Sequence, residues 1–267
     1  MGVIRISFVL VLFSATCASA GVVLEIETQD HRLDESGTVL AVVDGKNLKM
    51  TITSGRDQDK SEMIFRGETR EMIVVDHEDK SFMVFDEAMI NSIADQLSGY
   101  EAQMRESLKD VPPEKRAMVE QMMKGRMPAP ARPKIEIRNT GDHDTKNGYP
   151  SVKYEATIDD RKTQEYWVTD WDNVDGGDDA VEAFQAMADF FKQMRDSMSS
   201  FGADEDAGDN PFEHMLEMDG FPVLTYDYAS DGSIARENSL RSSTQRAVAA
   251  TEFEPPAAYK QREMMPR

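Results

Sequence analysis

The sequence predicts an α+β fold in which a curved antiparallel sheet carries amphipathic helices on its concave face. Three observations lead to this prediction. The first third of the chain consists of short alternating segments separated by polar turns. Two later stretches repeat their apolar residues every three or four positions, as amphipathic helices do. Strand-like segments return after each stretch, which suits one large sheet that curls and is covered by helices.

The first third is predicted to form an antiparallel meander. Asp44-Gly45 favours the positive φ angles of a tight hairpin turn, and Asp76–Lys80 is a polar turn between two apolar segments. The predicted strands are Val22–Thr28, Thr38–Val43, Asn47–Thr53, Glu62–Phe65, Glu71–Val75 and Ser81–Phe85.

A long helix is predicted after this meander, because apolar residues recur there at steps of three and four. These residues are Met89, Ile93, Leu97, Tyr100, Met104, Leu108 and Val111. Pro112-Pro113 ends this helix and begins a second one, which we expect to reach about Lys124. The proline-rich segment Gly125–Pro133 is then predicted to be a linker.

A third helix is predicted over about Asp178–Ser199. Its apolar side is formed by Val181, Phe184, Met187, Phe191, Met194 and Met198. Thr140–Gly148 is expected to be a polar loop, and the acidic segment Phe201–Asn210 a mobile one. The remaining predicted strands are Ile135–Asn139, Val152–Ile158, Gln164–Thr169, Val223–Ala229, Ser233–Leu240 and Gln245–Phe253.

The N-terminus has the pattern of an export signal. One basic residue, Arg5, precedes the apolar run Ile6–Ala15, and Ala18–Ala20 is the small-x-small motif of a cleavage site. We expect cleavage after Ala20 and a periplasmic or secreted protein. Acylation of Cys17, the alternative, disagrees with the residues that a lipoprotein signal prefers before its cysteine. The mature chain would then comprise one domain over residues 21–256 and a flexible tail over residues 257–267.

Charge limits the classes of partner. The net charge is −20, and loss of Arg5 with the signal makes it −21. Phosphate backbones would be repelled, so nucleic acid is not an expected partner. Stable membrane insertion is not expected either once the signal is removed. Residues 163–220 are the most acidic, which indicates a solvated face or, alternatively, a site for divalent cations.

Catalytic and metal-binding motifs are not apparent, and we expect neither an enzyme nor a cofactor. The four histidines fall in predicted turns or loop edges, without a ligand spacing. Asp170–Glu182 resembles a calcium loop, but Trp171 stands where an aspartate is expected first. The 18 methionines could bind copper(I). Their helical spacing favours a core or an adaptable apolar surface instead.

The chain resembles a bacterial family called domain of unknown function 4412. The matching pieces are Met63–Glu87, Val111–Met123, Tyr166–Phe191 and Gly220–Lys260, in that order. The last piece departs from the family's usual glycine before its tyrosine, since Ala258 stands there. The family is thought to be similar to the periplasmic lipoprotein carriers LolA and LolB. The resemblance therefore implies an incomplete β-barrel with helices over a hydrophobic cavity.

The favoured hypothesis is a non-enzymatic carrier or sensor of an apolar ligand, such as an acyl chain or a lipidated peptide. We expect two helical stripes to form opposing walls of its pocket. The wall residues are Met89, Ile93, Leu97, Met104, Phe184, Met187, Phe191, Met194 and Met198. One alternative is a structural or interaction protein of the cell envelope with a filled core and a protein partner that the sequence does not identify. A second alternative is a metal-binding protein.

Overall fold

A computed structural model describes residues 19–55, 59–93, 135–199 and 211–262, together with residues 95, 96, 99 and 103. The described strands are β1 (Ser19–Asp30), β2 (Glu35–Asp44), β3 (Asn47–Ser54), β4 (Asp59–Arg66), β5 (Glu71–Asp76), β6 (Ser81–Phe85), β7 (Glu136–Lys146), β8 (Tyr149–Ile158), β9 (Arg161–Thr169), β10 (Phe221–Tyr228), β11 (Ile234–Val248) and β12 (Lys260–Gln261). The described helices are α1 (Gly177–Ser199) and α2 (Pro211–Glu217), with 3₁₀ turns at Trp171–Asn173 and Ala250–Phe253. Residues 87–93 are also helical.

The described strands form one large curved sheet, and within this part of the chain the sheet is not closed into a barrel. Their order is β12-β6-β5-β4-β3-β2-β1-β11-β10-β9-β8-β7, and neighbours are antiparallel except for β12 and β6. The predicted meander is confirmed as β1 to β6, including the hairpin at Asp44-Gly45, where Gly45 has φ +53°. The described residues are mostly in strands, so the α+β prediction is confirmed only in its coarser part. The concave position of the helices stays a prediction.

The main core lies on the face of the sheet that α1 covers, which we call the inner face. Val22, Val43, Leu48 and Phe65 are directly opposite one another on β1 to β4 and are fully buried. Such neighbours point to the same face, so they form one continuous apolar floor beneath the helix. A smaller cluster on the outer face includes Ile64, Ile73 and Phe253.

The predicted loop Thr140–Gly148 is wrong, because β7 runs through most of it and pairs with β8 as far as Lys146. A register shift between Asn139 and His143 absorbs the glycine and the polar residues that suggested a loop. The chain reverses only at Asn147-Gly148, where both residues have positive φ. This strand is polar because it is an edge strand facing solvent, not because it leaves the sheet.

Three further predictions concern helix α1, strand β11 and the C-terminal segment. The third helix is confirmed as α1, which begins one residue before the predicted Asp178. The predicted strands Ser233–Leu240 and Gln245–Phe253 are one long strand, β11, followed by a 3₁₀ turn. Within the predicted C-terminal tail, residues 257–267, β12 pairs with β6, and the flexibility of the tail stays a prediction.

Several predicted segments lie outside the described residues. They are most of the helix from Met89 to Val111, the second helix, the linker Gly125–Pro133, the acidic segment Phe201–Asn210 and nearly all of the export signal.

Candidate apolar binding surface

Helix α1 is set onto the sheet by the turn that precedes it. Gly176 has φ +71°, a conformation that glycine adopts without strain. A Cβ atom at this position would lie 2.7 Å from Cβ of Val22, so the helix begins almost in contact with β1. Asp178 and Asp179 lie in the first turn, where carboxylates favour the positive end of the helix dipole.

Two of the predicted wall residues on α1 belong to the packed core. Phe184 is 4% exposed and Met187 is fully buried. The Phe184 ring contacts the rings of Phe212 and Phe221, with centroids 5.5 and 6.3 Å apart. These side chains therefore hold the helix against the sheet and α2.

The next predicted wall residues lie at the margin of this core. Phe191 and Met194 are half-buried and pack against the core from its side. The Phe191 ring stacks on Phe212 at 6.1 Å, with an interplanar angle of 10°. Met198 lies in the last turn of α1, but its side chain is outside the described part of the structure. The exposed part of the helix's apolar side thus begins near Phe191.

The other predicted wall is described only at its start. Met89 and Ile93 are half-buried, whereas their neighbour Ile90 is 6% exposed and belongs to the core. Asp86 begins this helical turn, because its carboxylate accepts a hydrogen bond from the Met89 N–H at 2.7 Å. The remaining predicted wall residues, Leu97 and Met104, lie outside the described residues.

A row of apolar side chains crosses the inner face beside the buried floor, and sequence reasoning missed it. We call it the methionine row. In strand order from β1 to β6 it consists of Leu24, Ala41, Met50, Met63, Val74 and Met83, each directly opposite the next.

Burial changes along the methionine row. Leu24 is fully buried and Ala41 is 4% exposed, but the row from Met50 onward is half-buried. Met50 and Met63 pack against the core from its margin. The sequence signal for this row is the strict alternation within each predicted strand, which indicates a shared face but not which strands are adjacent.

Strands β7 and β9, at the other end of the sheet, carry charged side chains with partners in the protein. On β9, Trp167 donates a hydrogen bond from Nε1 to Glu165 at 3.1 Å, and the Lys146 ammonium lies 4.4 Å from the centre of the indole. Burial raises the pKa of Glu165, but hydrogen bonds led by the one from Lys162 outweigh it and leave this pKa below its usual value. Asp144 holds Lys146 in turn, at 2.6 Å. These charges are therefore matched within the protein.

Metal ligands do not gather in the described residues, where no group of three or more His, Cys, Asp and Glu side chains could hold an ion. Within Asp170–Glu182, the segment that resembles a calcium loop, Glu182 faces Lys46 at 3.7 Å, and the backbone carbonyl of Asp175 accepts a hydrogen bond from Ser243. Trp171 packs against the core at this loop.

None of the helices in the described part of the chain combines the length and the hydrophobicity that a membrane span needs.

Comparisons with known proteins give similarity of fold at low identity. No family model matches the chain, and no curated protein matches its sequence, so the resemblance to domain of unknown function 4412 stays a prediction. An uncharacterized conserved protein from Thermus thermophilus aligns over 91% of both chains with 6% identity and a TM-score of 0.46.

Two structures of MucB are also similar. MucB in complex with MucA(peri) is 10% identical, with a TM-score of 0.37, over 90% of this chain and 56% of that chain. The Pseudomonas aeruginosa MucA/MucB complex is 9% identical, with the same TM-score, over 91% of this chain and 58% of that chain. The chain thus spans less than three fifths of the MucB chains, and similarity at this level assigns no function.

Proposed function

We propose that the protein is exported and acts as a non-enzymatic carrier or sensor of an apolar ligand, such as an acyl chain or a lipidated peptide. The observation that carries this proposal is the methionine row, which stays half-buried from Met50 to Met83 beside a fully buried floor. A folded domain gains stability by burying such side chains, so a continuous half-buried row indicates a surface kept for another molecule.

The chemistry of the row suits a ligand without a fixed shape. Methionine side chains are unbranched and polarisable, and they adapt to varied apolar partners. Five strand spacings separate Leu24 from Met83, so the row extends about 24 Å across the sheet. Phe191 and Met194 of α1 add half-buried apolar area at the margin of the same core. The ligand would lie on the inner face, against strands and α1.

The experiment compares polar substitutions on the two faces of the sheet. In the full chain, Met50→Gln with Met63→Gln changes the inner face, and Leu40→Gln changes the outer face, where Leu40 is 38% exposed. Binding of a fluorescent acyl-chain probe is measured by titration. We expect about tenfold weaker binding in the inner-face variant, about 1.4 kcal/mol, and no change in the control. Absence of binding by the unmodified protein, or equal binding by both variants, would contradict the proposal.

A structural or interaction protein of the cell envelope is the second candidate, and the packing of α1 favours it. Phe184 and Met187 fill the space between helix and sheet. If the rest of the inner face were filled in the same way, the apolar residues would serve stability alone. The inner-face variant would then lose stability, and the protein would bind no acyl probe.

Export of the protein is part of this proposal, and cleavage of its signal can be tested separately. Cleavage after Ala20 would remove Ser19 and Ala20 from β1, together with their pairing to Val248 and Ala247 on β11. The rest of β1 would keep its partners. The intact mass of protein isolated from an exporting host is expected to begin at Gly21, without lipid. A species beginning at an acylated Cys17 would place the protein on a membrane instead.

A further inference from the structure

The last described residues lie along the edge of the sheet at β6. Their pairing is parallel and short: the backbone N–H of Lys260 donates to the carbonyl of Lys80 at 3.1 Å, and that of Arg262 donates to the carbonyl of Phe82 at 2.8 Å. An edge strand offers unpaired backbone groups to any extended chain. The protein therefore covers the beginning of this edge with its own C-terminal segment.

Two side chains of this segment fit specific partners. The Tyr259 hydroxyl lies 3.0 Å from Nδ1 of His77, and the two rings meet edge to face with centroids 5.6 Å apart. Three positions later, the Arg262 guanidinium lies 2.8 Å from a carboxylate oxygen of Asp79 and 4.0 Å from one of Asp76. An aromatic contact and a pair of carboxylates thus flank the backbone hydrogen bonds.

The segment is more exposed than the chain just before it, although Tyr259 is half-buried and packs against the outer-face cluster. Phe253 is 3% exposed, and its carbonyl accepts a hydrogen bond from the Arg66 guanidinium at 2.9 Å. Beyond Pro255-Pro256, by contrast, Lys260 and Gln261 are exposed, and the Arg262 side chain is 51% exposed. Exposed ion pairs of this kind contribute little to stability. Release of the segment from the edge would therefore leave the chain anchored at Phe253.

The edge beneath it is unlike the opposite edge of the sheet. Edge strand β7 carries charged residues and a register shift, both of which discourage strand addition. Strand β6 has the sequence Ser-Phe-Met-Val-Phe and carries no charge. The turn before its N-terminal end includes the carboxylates of Asp76 and Asp79, which the Arg262 guanidinium contacts and which favour a basic partner.

We propose that β6, with His77, Asp76 and Asp79, is a docking site for an extended peptide of a partner protein, and that Tyr259–Arg262 occupies this site in cis. The partner peptide carries an aromatic residue and, three positions later, a basic residue. It adds to β6 as a parallel strand, with the aromatic ring on His77 and the cation between the two carboxylates. This mode is β-strand addition, in which backbone hydrogen bonds give affinity and side-chain pockets give specificity.

The test uses the full chain and a synthetic peptide with the sequence of residues 257–264. Tyr259→Ser with Arg262→Glu weakens the segment in cis and leaves the docking site intact. Because a tethered segment competes at an effective concentration of about 1 mM, we expect the peptide to bind this variant about tenfold more tightly than the unmodified chain. Binding is followed by amide NMR shifts, which are expected at Ser81 and Phe82.

Two controls keep the result specific. We call the Tyr259→Ser, Arg262→Glu variant the opened chain. Adding Asp76→Asn and Asp79→Asn to the opened chain should remove its tighter binding of the peptide. A peptide with alanine in place of its tyrosine should bind neither the opened nor the unmodified chain measurably. Arg262→Ala alone serves as a milder opening if the double variant does not fold. Equal affinity of the opened and unmodified chains, or shifts confined to other strands, would overturn the proposal. Acyl-probe binding on the inner face is independent of this site.

Discussion

Burial separates residues that look equivalent in the sequence. Phe184 and Phe191 are both aromatic, lie on one helix and are seven positions apart, so the helical period places them on one side. Phe184 is 4% exposed, whereas Phe191 is half-buried and stacked on Phe212. The helix extends beyond the deepest part of the core, so its C-terminal half is less enclosed. The two residues should therefore respond differently to truncation.

Replacing each phenylalanine by alanine tests this difference. Phe184→Ala removes a fully packed ring and is expected to lower the free energy of unfolding by about 3–5 kcal/mol. Phe191→Ala should cost clearly less, because solvent already reaches its ring, and it should alter acyl-probe binding. Urea unfolding of both variants provides the measurement. Equal losses of stability, with no binding by either variant or by the unmodified protein, would favour the structural alternative.

The ion pair between Arg246 and Glu252 is expected to stabilise the fold in a pH-dependent way. Two hydrogen bonds from the Arg246 guanidinium, at 2.7 and 2.6 Å, hold the pKa of Glu252 below its usual 4.5. A carboxylate whose pKa is lowered by folding stabilises the fold above its ordinary pKa, and this contribution is lost as the pH falls through the lowered value. Arg246→Met should therefore cost about 0.5–1 kcal/mol at pH 7 and progressively less at pH values below about 4.

Unfolding of Arg246→Met and the unmodified protein across the range from pH 7 to pH 3 checks this. Glu252→Gln is the matched variant, since it removes the same ion pair from the other side and should show the same trend. A difference in unfolding free energy that stays constant down to pH 3 would contradict the assigned role of the pair.

The sequence predicts the elements whose signals are local, namely an apolar period, an acidic first turn or turn residues. Helix α1 combines a long apolar period with an acidic first turn, and its start was predicted within one residue. The hairpins of the meander follow from their turn residues. Strand β7 was missed because an edge strand with a register shift is as polar as a loop. Helix α2, with seven residues, is too short for its period to be recognised.

The turn before α1 is expected to tolerate only glycine at position 176. Gly176→Ala would place an L-residue at φ +71° and its Cβ 2.7 Å from Val22, so both backbone strain and overpacking result. We expect a loss of about 2–4 kcal/mol. Gly232→Ala is the matched control, because its φ is +83° but no atom lies within 4 Å of the new Cβ. The control should lose about 1 kcal/mol by thermal or urea unfolding. Equal losses would mean that contact with Val22 does not position the helix.

At the scale of the whole molecule, the sheet's central pairing is what sequence reasoning could not supply. Strand β1 pairs with β11, more than 200 residues away, and this pairing joins the N-terminal meander to the later strands. No local periodicity encodes such a contact. The methionine row also lacks a local signal, although it does not involve β11, since Met50, Met63 and Met83 share one row only through the register of successive strands in the meander. Alternation within a strand predicts its two faces, but it does not predict which face carries this row.

Metal binding is predicted to be weak for the molecule as a whole. The described residues contain no cluster of three suitable ligands, and the calcium-like loop uses Glu182 toward Lys46. Calcium, zinc and copper should therefore bind no more tightly than about 1 mM, near −4 kcal/mol. Calorimetric titration of each ion measures this. A micromolar constant with fixed stoichiometry would contradict it, and Asp175→Asn would then test the loop.

The half-buried methionine row, and not the packed core, is the proposed binding surface for an apolar ligand. Methyl NMR of methionine-labelled protein, titrated with a single-chain fatty acid, tests it most directly. We expect the methyl signals of Met50, Met63 and Met83 to shift together and saturate, while that of the fully buried Met187 keeps its position. Substitution of each methionine by leucine assigns the signals. Saturable shifts at Met187 alone, or no saturable shift at the three row methionines, would rule out the methionine row as the binding surface.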